Sequence, residues 1–236
     1  YGRADEIIAV SQGYVERAMV VARKVKEGHV VYLGTDLDEF DNFAQEECLS
    51  VPKKKEGEKW IAYCGTLGKS YDLISVIDAL ALLKEQAPKF IVMGDGPRRK
   101  EFEHYANKKA VSCIFTGKLA YAEMCGVLKK CDMTVNPIIG KSVASIINKH
   151  ADYAASGLPV VNTQNSLEYR QLVTEFRMGV NCLNGNEHDI ALKIQWLLSN
   201  ELECFNMGKN ARKCAEKKFN RKYTYKEIVR VIEKYI

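Results

Sequence analysis

Residues 149–161 read KHADYAASGLPVV. Helix-forming residues carry a single carboxylate, Asp152, and meet a glycine stop at Gly157. Pro159 and the apolar pair Val160–Val161 then open a strand. This αβ unit places Asp152 about a turn and a half before a strand, on an element whose N-terminus is suited to face a phosphate-bearing ligand. The pattern alone fits a nucleotide site and an ordinary αβ connection with a solvated acid equally well.

On both sides of this unit the chain keeps alternating. Strands are predicted at Trp60–Cys64, Lys89–Met93, Cys113–Thr116, Met133–Asn136, Pro159–Asn162 and Gly179–Cys182, with helices between them. Leu73, Val76, Ile77, Leu80 and Leu83 recur at intervals of three and four, giving one core-facing stripe over Tyr71–Gln86. A second helix is expected to start at Pro97, with proline at its first position, and a third to span Tyr121–Lys130. After Glu187 the pattern is wholly helical: Glu187–Ser199, Glu201–Lys218 and Tyr223–Tyr235. The fold class predicted is α/β, a Rossmann-like doubly wound parallel sheet of about six strands with C-terminal helices. Such sheets bind ligands at the carboxyl ends of their strands.

The start of the chain is read differently. Ile7–Val10 is expected to be a buried strand, with Ser11 capping a helix to about Val25. A second strand turns at Gly34, and the charged segment Asp41–Lys59, which contains Pro52, reads as a linker.

At 236 residues with 47% apolar content, the chain is long enough to bury a large core. No apolar run approaches the length that spans a bilayer. The eight cysteines form no C-x-x-C pair and lie beside no histidine at metal-ligand spacing, so no metal site is expected and the thiols read as reduced and mostly buried, in keeping with a cytoplasmic setting. The net charge of +5 is local: from Met207 onward ten Lys or Arg face three Glu. With few interleaved aromatics, this reads first as a solvated helix face and then as a surface for anionic lipid or a neighbouring domain, with nucleic acid a poor third.

Small and polar residues collect where the strands end. Cys64 leads into Gly65-Thr66-Leu67-Gly68-Lys69-Ser70, whose backbone N–H groups and ammonium suit a diphosphate, although the loop matches neither G-x-G-x-x-G nor a P-loop. Met93 leads into Gly94-Asp95-Gly96-Pro97, Phe115 into Thr116-Gly117-Lys118-Leu119, and Asn136 into Pro137-Ile138-Ile139-Gly140-Lys141-Ser142.

Taken in order, ADEIIAVS, VVYLGTD, YCGTLGKSYDL, VMGDGP, FTGKL, CDMTVNP and KHADYAASGLPVV resemble the C-terminal half of a GT-B glycosyltransferase of the family 4 type. The resemblance covers nearly the whole chain. It implies a retaining transferase whose C-terminal domain holds a nucleotide-sugar donor (a UDP- or GDP-sugar) as substrate, with no other cofactor. It also implies that most of the N-terminal domain, which carries most of the acceptor site, lies outside this chain, and that this part alone transfers nothing. Residues 1–28 would then be the end of that domain or a hinge, 29–218 the donor-binding domain, and 219–236 a helix crossing toward the N-terminal domain.

Carried over residue by residue, the resemblance gives Asp152 the ribose hydroxyls and Lys69 the diphosphate charge of the leaving nucleotide. Gly65 and Thr66 would approach the phosphates. Thr116, Gly117, Lys118 and Leu119 would read the base beside a wall shaped by Gly94–Pro97, and Ser142 and Val143 would face phosphate and sugar. Eight residues before Asp152, where the family carries a glutamate, stands Ala144, which leaves the donor sugar open, and Thr66 replaces the family's first-loop arginine. Lys149 matches a lysine found three residues before the acid in a capsule and O-antigen variant, its plain alternative being a solvated helix lysine. Of the histidines only His150 lies near the site. The implied acceptor is a glycan or lipid-linked group in polysaccharide biosynthesis, compatible with peripheral attachment to the inner face of a membrane. A GT-B nucleotide-sugar epimerase and a non-catalytic Rossmann-like module are the rival readings.

Overall fold

The computed structural model describes residues 1–45, 49–140 and 146–235. Near the N-terminus β1 (Ile8–Ala9) pairs in parallel with β2 (His29–Val30) across the helix α1 (Gln12–Met19). The predicted strand is therefore short and half-buried. Ile7 beside it is in the core, and the Ser11 hydroxyl caps α1 as expected by accepting from the Tyr14 N–H at 3.4 Å. The helix ends at Met19 rather than Val25, because Val20 and Val21 are exposed and no core lies beneath them to extend it.

The segment read as a linker holds part of a helix, α2 (Leu37–Phe43). Asp36 caps it by accepting from the Asp38 and Glu39 N–H groups at 3.1 Å, and Leu37 and Phe40 are buried. Only Leu37 and Phe40 are fully buried, with Phe43 packed half-buried beside them, a short apolar signal set among three acids.

From Trp60 the chain winds as β3 (Trp60–Cys64), α3 (Leu73–Leu83), β4 (Lys89–Met93), α4 (Arg99–Lys108), β5 (Cys113–Gly117), α5 (Tyr121–Lys130), β6 (Met133–Asn136), α6 (Asn148–Ala155), β7 (Val160–Asn162), α7 (Leu167–Glu175) and β8 (Gly179–Asn181). Helices α8 (Glu187–Ser199), α9 (Glu201–Cys214), a π turn over Ala215–Phe219 and α10 (Arg221–Ile232) follow. Strands β3 to β8 form one parallel sheet in the order β5-β4-β3-β6-β7-β8. This is the doubly wound order in which the chain reverses direction between its first and fourth strands, here β3 and β6.

Strand β3 is buried along its whole length because helices cover both faces. Trp60, Ala62 and Cys64 point into the core shared with α5, α6, α7 and α9, while Ile61 and Tyr63 point into the core shared with α3, α4 and α8. Helix α4 begins at Arg99, two residues beyond Pro97. The intervening turn is held by the Leu67 N–H donating to the Asp95 carbonyl at 2.9 Å and the Arg98 N–H donating to the Leu67 carbonyl at 3.0 Å, so residues 95–98 belong to the loop. The seven described cysteines are free thiols. Among the described residues no helix is long and apolar enough to cross a membrane.

The basic C-terminal helices are partly paired. Arg212 makes a two-point ion pair with Asp41, at 2.6 and 2.7 Å, and Lys222 pairs with Asp38, which ties α2 to the end of the chain. Helix α10 is largely exposed, with Val231 its one buried residue among those described.

Candidate functional site

Three glycine loops meet at the carboxyl ends of β3, β4 and β5. Gly65 and Gly94 adopt φ of +139° and +151°, conformations that side chains rarely take, and a Cβ on Gly94 would lie 1.9 Å from the Gly65 carbonyl oxygen. The loops are pinned in series: the Gly65 N–H donates to the Met93 carbonyl at 2.9 Å, and the Gly94 N–H to the Gly117 carbonyl at 2.9 Å. Between them opens a hollow of about 370 Å³ lined by Gly65, Thr66, Gly94, Lys118, Leu119 and Met124, among others. Of the residues singled out from sequence, it thus gathers Gly65, Thr66, Gly94, Lys118 and Leu119. Pro97, Thr116 and Gly117 do not line it. Pro97 is exposed beyond the turn, and the Thr116 hydroxyl is turned inward, donating to the Gly117 carbonyl at 2.9 Å.

At the reversal point the loop after β3 is stitched to the loop after β6. The Asp72 N–H donates to the Pro137 carbonyl at 2.8 Å and the Ile139 N–H to the Ser70 carbonyl at 3.0 Å. Asp72 also caps α3, accepting from the Ser75 N–H and hydroxyl at 3.1 and 2.6 Å. Lys69 stands exposed in this loop, lining neither the hollow above nor the one described next, and has no hydrogen bond or ion pair among the described residues. Ser142 and Val143, with Ala144, lie outside the described residues.

Helix α6 docks on the end of β3, where the Tyr153 hydroxyl accepts from the Cys64 N–H at 2.8 Å. It thereby carries two charged groups to the strand ends. Lys149 is 8% exposed, which excludes the solvated helix lysine. Its ammonium lies over the rings of Tyr63 and Tyr71, 4.1 and 4.0 Å from their centroids, and finds no hydrogen-bond acceptor among the described residues. A Cβ built on Gly65 would sit 2.8 Å from this Nζ, so the amine stands directly against the glycine backbone. Burial drives its pKa down to about 7.

Asp152 faces the other way. Its carboxylate accepts from the Tyr121 hydroxyl at 2.9 Å, and that hydroxyl is 2.6 Å from Thr35 Oγ1. Burial raises the Asp152 pKa, with Tyr121, Thr35 and Arg221 acting against it. The carboxylate opens on a separate hollow of about 230 Å³ lined by Gly34, Thr35, Tyr121, Asn148, Arg221 and Tyr225, among others. Here the chain passes twice: the Thr35 N–H donates to the Phe219 carbonyl at 2.9 Å and the Arg221 N–H to the Thr35 carbonyl at 3.0 Å. Helix α6 thus stands between two hollows at the carboxyl ends of the strands, with Lys149 set behind Gly65 of one and Asp152 lining the other.

His150 makes no polar contact with either hollow. It is fully buried, stacked on Tyr169 with centroids 3.5 Å apart, and its Nδ1 accepts from the Ile147 N–H at 3.3 Å. Sequence reasoning passed over Tyr63, Tyr71, Tyr121, Thr35 and Arg221. Tyr63, Tyr71 and Thr35 stand inside quoted motifs and Tyr121 opens a predicted helix, but only the folded chain brings Tyr71 beside Lys149 or Thr35 beside Tyr121.

The sequence model described as glycosyl transferases group 1 matches residues 45–214. No curated protein sequence matches. Among solved structures, HepE of Anabaena in complex with UDP aligns at a TM-score of 0.81 and 18% identity, over 98% of this chain and 64% of that one. The catalytic domain of the cholesterol-α-glucosyltransferase of Helicobacter pylori aligns at 0.56 and 26% identity, over 67% of this chain and 97% of its own. A glycosyltransferase of Rickettsia africae aligns at 0.80 and 15% identity, over 98% and 63%. The chain therefore spans just under two thirds of the length of HepE. With the family match running over well more than half of the sequence and GT-B structures superposing on its sheet, the chain belongs to the glycosyl transferases group 1 and carries a GT-B glycosyltransferase C-terminal domain.

Proposed function

We propose that this domain binds the nucleotide-sugar donor of a retaining glycosyltransferase of family 4 type, in its capsule and O-antigen variant, which transfers a sugar to a glycan or lipid-linked acceptor in polysaccharide biosynthesis. The observation that carries this reading is the buried, unpartnered Lys149 amine set against Gly65, at the carboxyl end of the strand beside the sheet's reversal point. A cation without an acceptor, beside a loop whose glycines let backbone come close, is a site suited to an anion. HepE is crystallised with UDP and with UDP-glucose, which makes uridine diphosphate sugars the first donors to test here.

In this reading the base occupies the hollow edged by Gly94, Lys118 and Leu119, the diphosphate meets Gly65, Thr66 and Lys149, and Asp152 takes the ribose once Tyr121 yields its hydrogen bond. Lys69, an exposed loop side chain, closes on the phosphates, and the roles of Ser142 and Val143 toward phosphate and sugar are those the family resemblance implies. Pro97, Thr116 and Gly117 support the base wall from behind. Residues 1–28 form the end of the N-terminal domain or a hinge, 29–218 the donor-binding domain, and 219–236 the crossing helix. Stabilisation of the departing diphosphate is the domain's contribution to transfer.

Calorimetric titration of the protein with UDP, GDP and their sugar conjugates tests the reading. Binding that is lost in Asp152→Ala and in Lys69→Ala is the expected result, and a folded sample that binds none of these ligands contradicts it. Product analysis with both domains present separates transfer from epimerisation.

A further inference from the structure

The amine of Lys149 is enclosed by uncharged groups on every described side. Tyr63 and Tyr71 lie against it, their phenols pushed above their ordinary range by burial, and the Tyr63 hydroxyl donates to the Thr66 carbonyl at 2.8 Å. From β3 the Cys64 thiol faces it, raised well above its usual value by burial and therefore neutral. On α6 the adjoining His150 imidazole is held neutral by burial and by Lys149 itself. The carboxylates on neighbouring elements are engaged elsewhere: Asp152 with Tyr121 on the far side of the helix, and Asp72 with Ser75 at the head of α3. Lys69, in the adjoining loop, is a cation and offers no compensation.

A fully buried ammonium with no counter-ion and no acceptor is unfavourable, and an amine so placed gives up its proton near neutrality. An incoming diphosphate changes that balance, because it brings two permanent negative charges to the Gly65 backbone, against which the amine stands. We propose that binding of a sugar-nucleotide diester is coupled to the uptake of one proton by Lys149, so that the site charges this buried amine as it takes its anionic ligand. This rests on the donor-site reading above and adds a pH dependence to it.

The direction follows from linkage. The bound diphosphate raises the pKa of the amine, so affinity is greatest where the free amine is already charged and falls as pH rises from the free value toward the bound one. With the free amine titrating at about 7, uptake is about half a proton per ligand at pH 7 and about nine tenths at pH 8. The dissociation constant rises roughly fifty-fold between pH 7 and pH 9.

The test uses UDP-glucose and GDP-mannose, whose diphosphate diesters do not themselves titrate in this range, added to the wild-type protein by calorimetry in buffers of different ionisation enthalpy. The slope of observed enthalpy against buffer enthalpy counts protons. Uptake near half a proton at pH 7 and near one at pH 8, abolished in Lys149→Met and in Lys149→Arg, is the expected result. Lys149→Arg, permanently charged, keeps an affinity that varies less than threefold from pH 7 to pH 9. Binding with zero uptake overturns the proton coupling and leaves the donor site standing, as does unchanged uptake in Lys149→Met. No binding of either diester overturns both.

Discussion

Replacing Lys149 by methionine is expected to stabilise the fold, and by an amount that depends on pH. The amine titrates at 10.5 in an unperturbed chain and at about 7 where it is buried between Tyr63 and Tyr71. Between those values the unfolded chain holds a proton that the folded one does not, so this group makes stability rise with pH across that window. Its cost to folding is about 4 kcal/mol at pH 7 and falls below about 1 kcal/mol at pH 10. Methionine occupies a similar path with no charge to bury, so relief of this cost should appear as a gain of up to about 4 kcal/mol at pH 7, or roughly 8–16 °C in melting temperature for a protein of this size. Urea denaturation of both proteins at pH 7 and pH 10 measures it. A gain that is equal at the two pH values, or a loss at both, would refute the argument that the amine is buried without compensation.

Two further substitutions probe the strand ends. Gly94→Ala puts a Cβ against the Gly65 carbonyl in a conformation of φ +151°, so a loss of roughly 2–4 kcal/mol in urea stability is expected, together with loss of nucleotide binding. Tyr121→Phe removes the hydroxyl that serves both Asp152 and Thr35. It should cost about 1–2 kcal/mol and move the Asp152 pKa further upward, since the Tyr121 hydrogen bond acts to lower it, which carbon-detected NMR titration of the carboxyl reads directly.

The contrast between Lys149 and the sheet marks where sequence reading stops. Strands β3 to β8 were legible to within a residue or so because continuous apolar runs such as WIAYC and KFIVM end at glycine, and such runs satisfy a parallel sheet covered on both faces whatever else the chain does. The glycine loops were legible for the same reason: their positions are fixed by the strand ends. Helix α2 was not, because its seven residues bury Leu37 and Phe40 and half-bury Phe43, and that burial depends on packing against α5 and α6. Lys149 and His150 look like solvated or ligand-facing residues on an isolated helix. Their burial depends on Tyr63, Tyr71 and Tyr169, which come from distant parts of the chain. The division of the site into two hollows is likewise a tertiary fact, since Thr35 and Arg221 reach Asp152 only through the pairing of residues 34–35 with 219–221.

In the proposed donor complex a sugar nucleotide lies along the carboxyl ends of the strands from Lys118 to Asp152. Titration of isotope-labelled protein with UDP-glucose, followed by amide chemical shifts, tests it residue by residue. Saturable shifts concentrated at Gly65, Thr66, Gly94, Lys118 and Leu119 and along the first turns of α6 are expected. Shifts confined to the opposite edge of the sheet, near Lys59, Gly157 and Phe205, would contradict it.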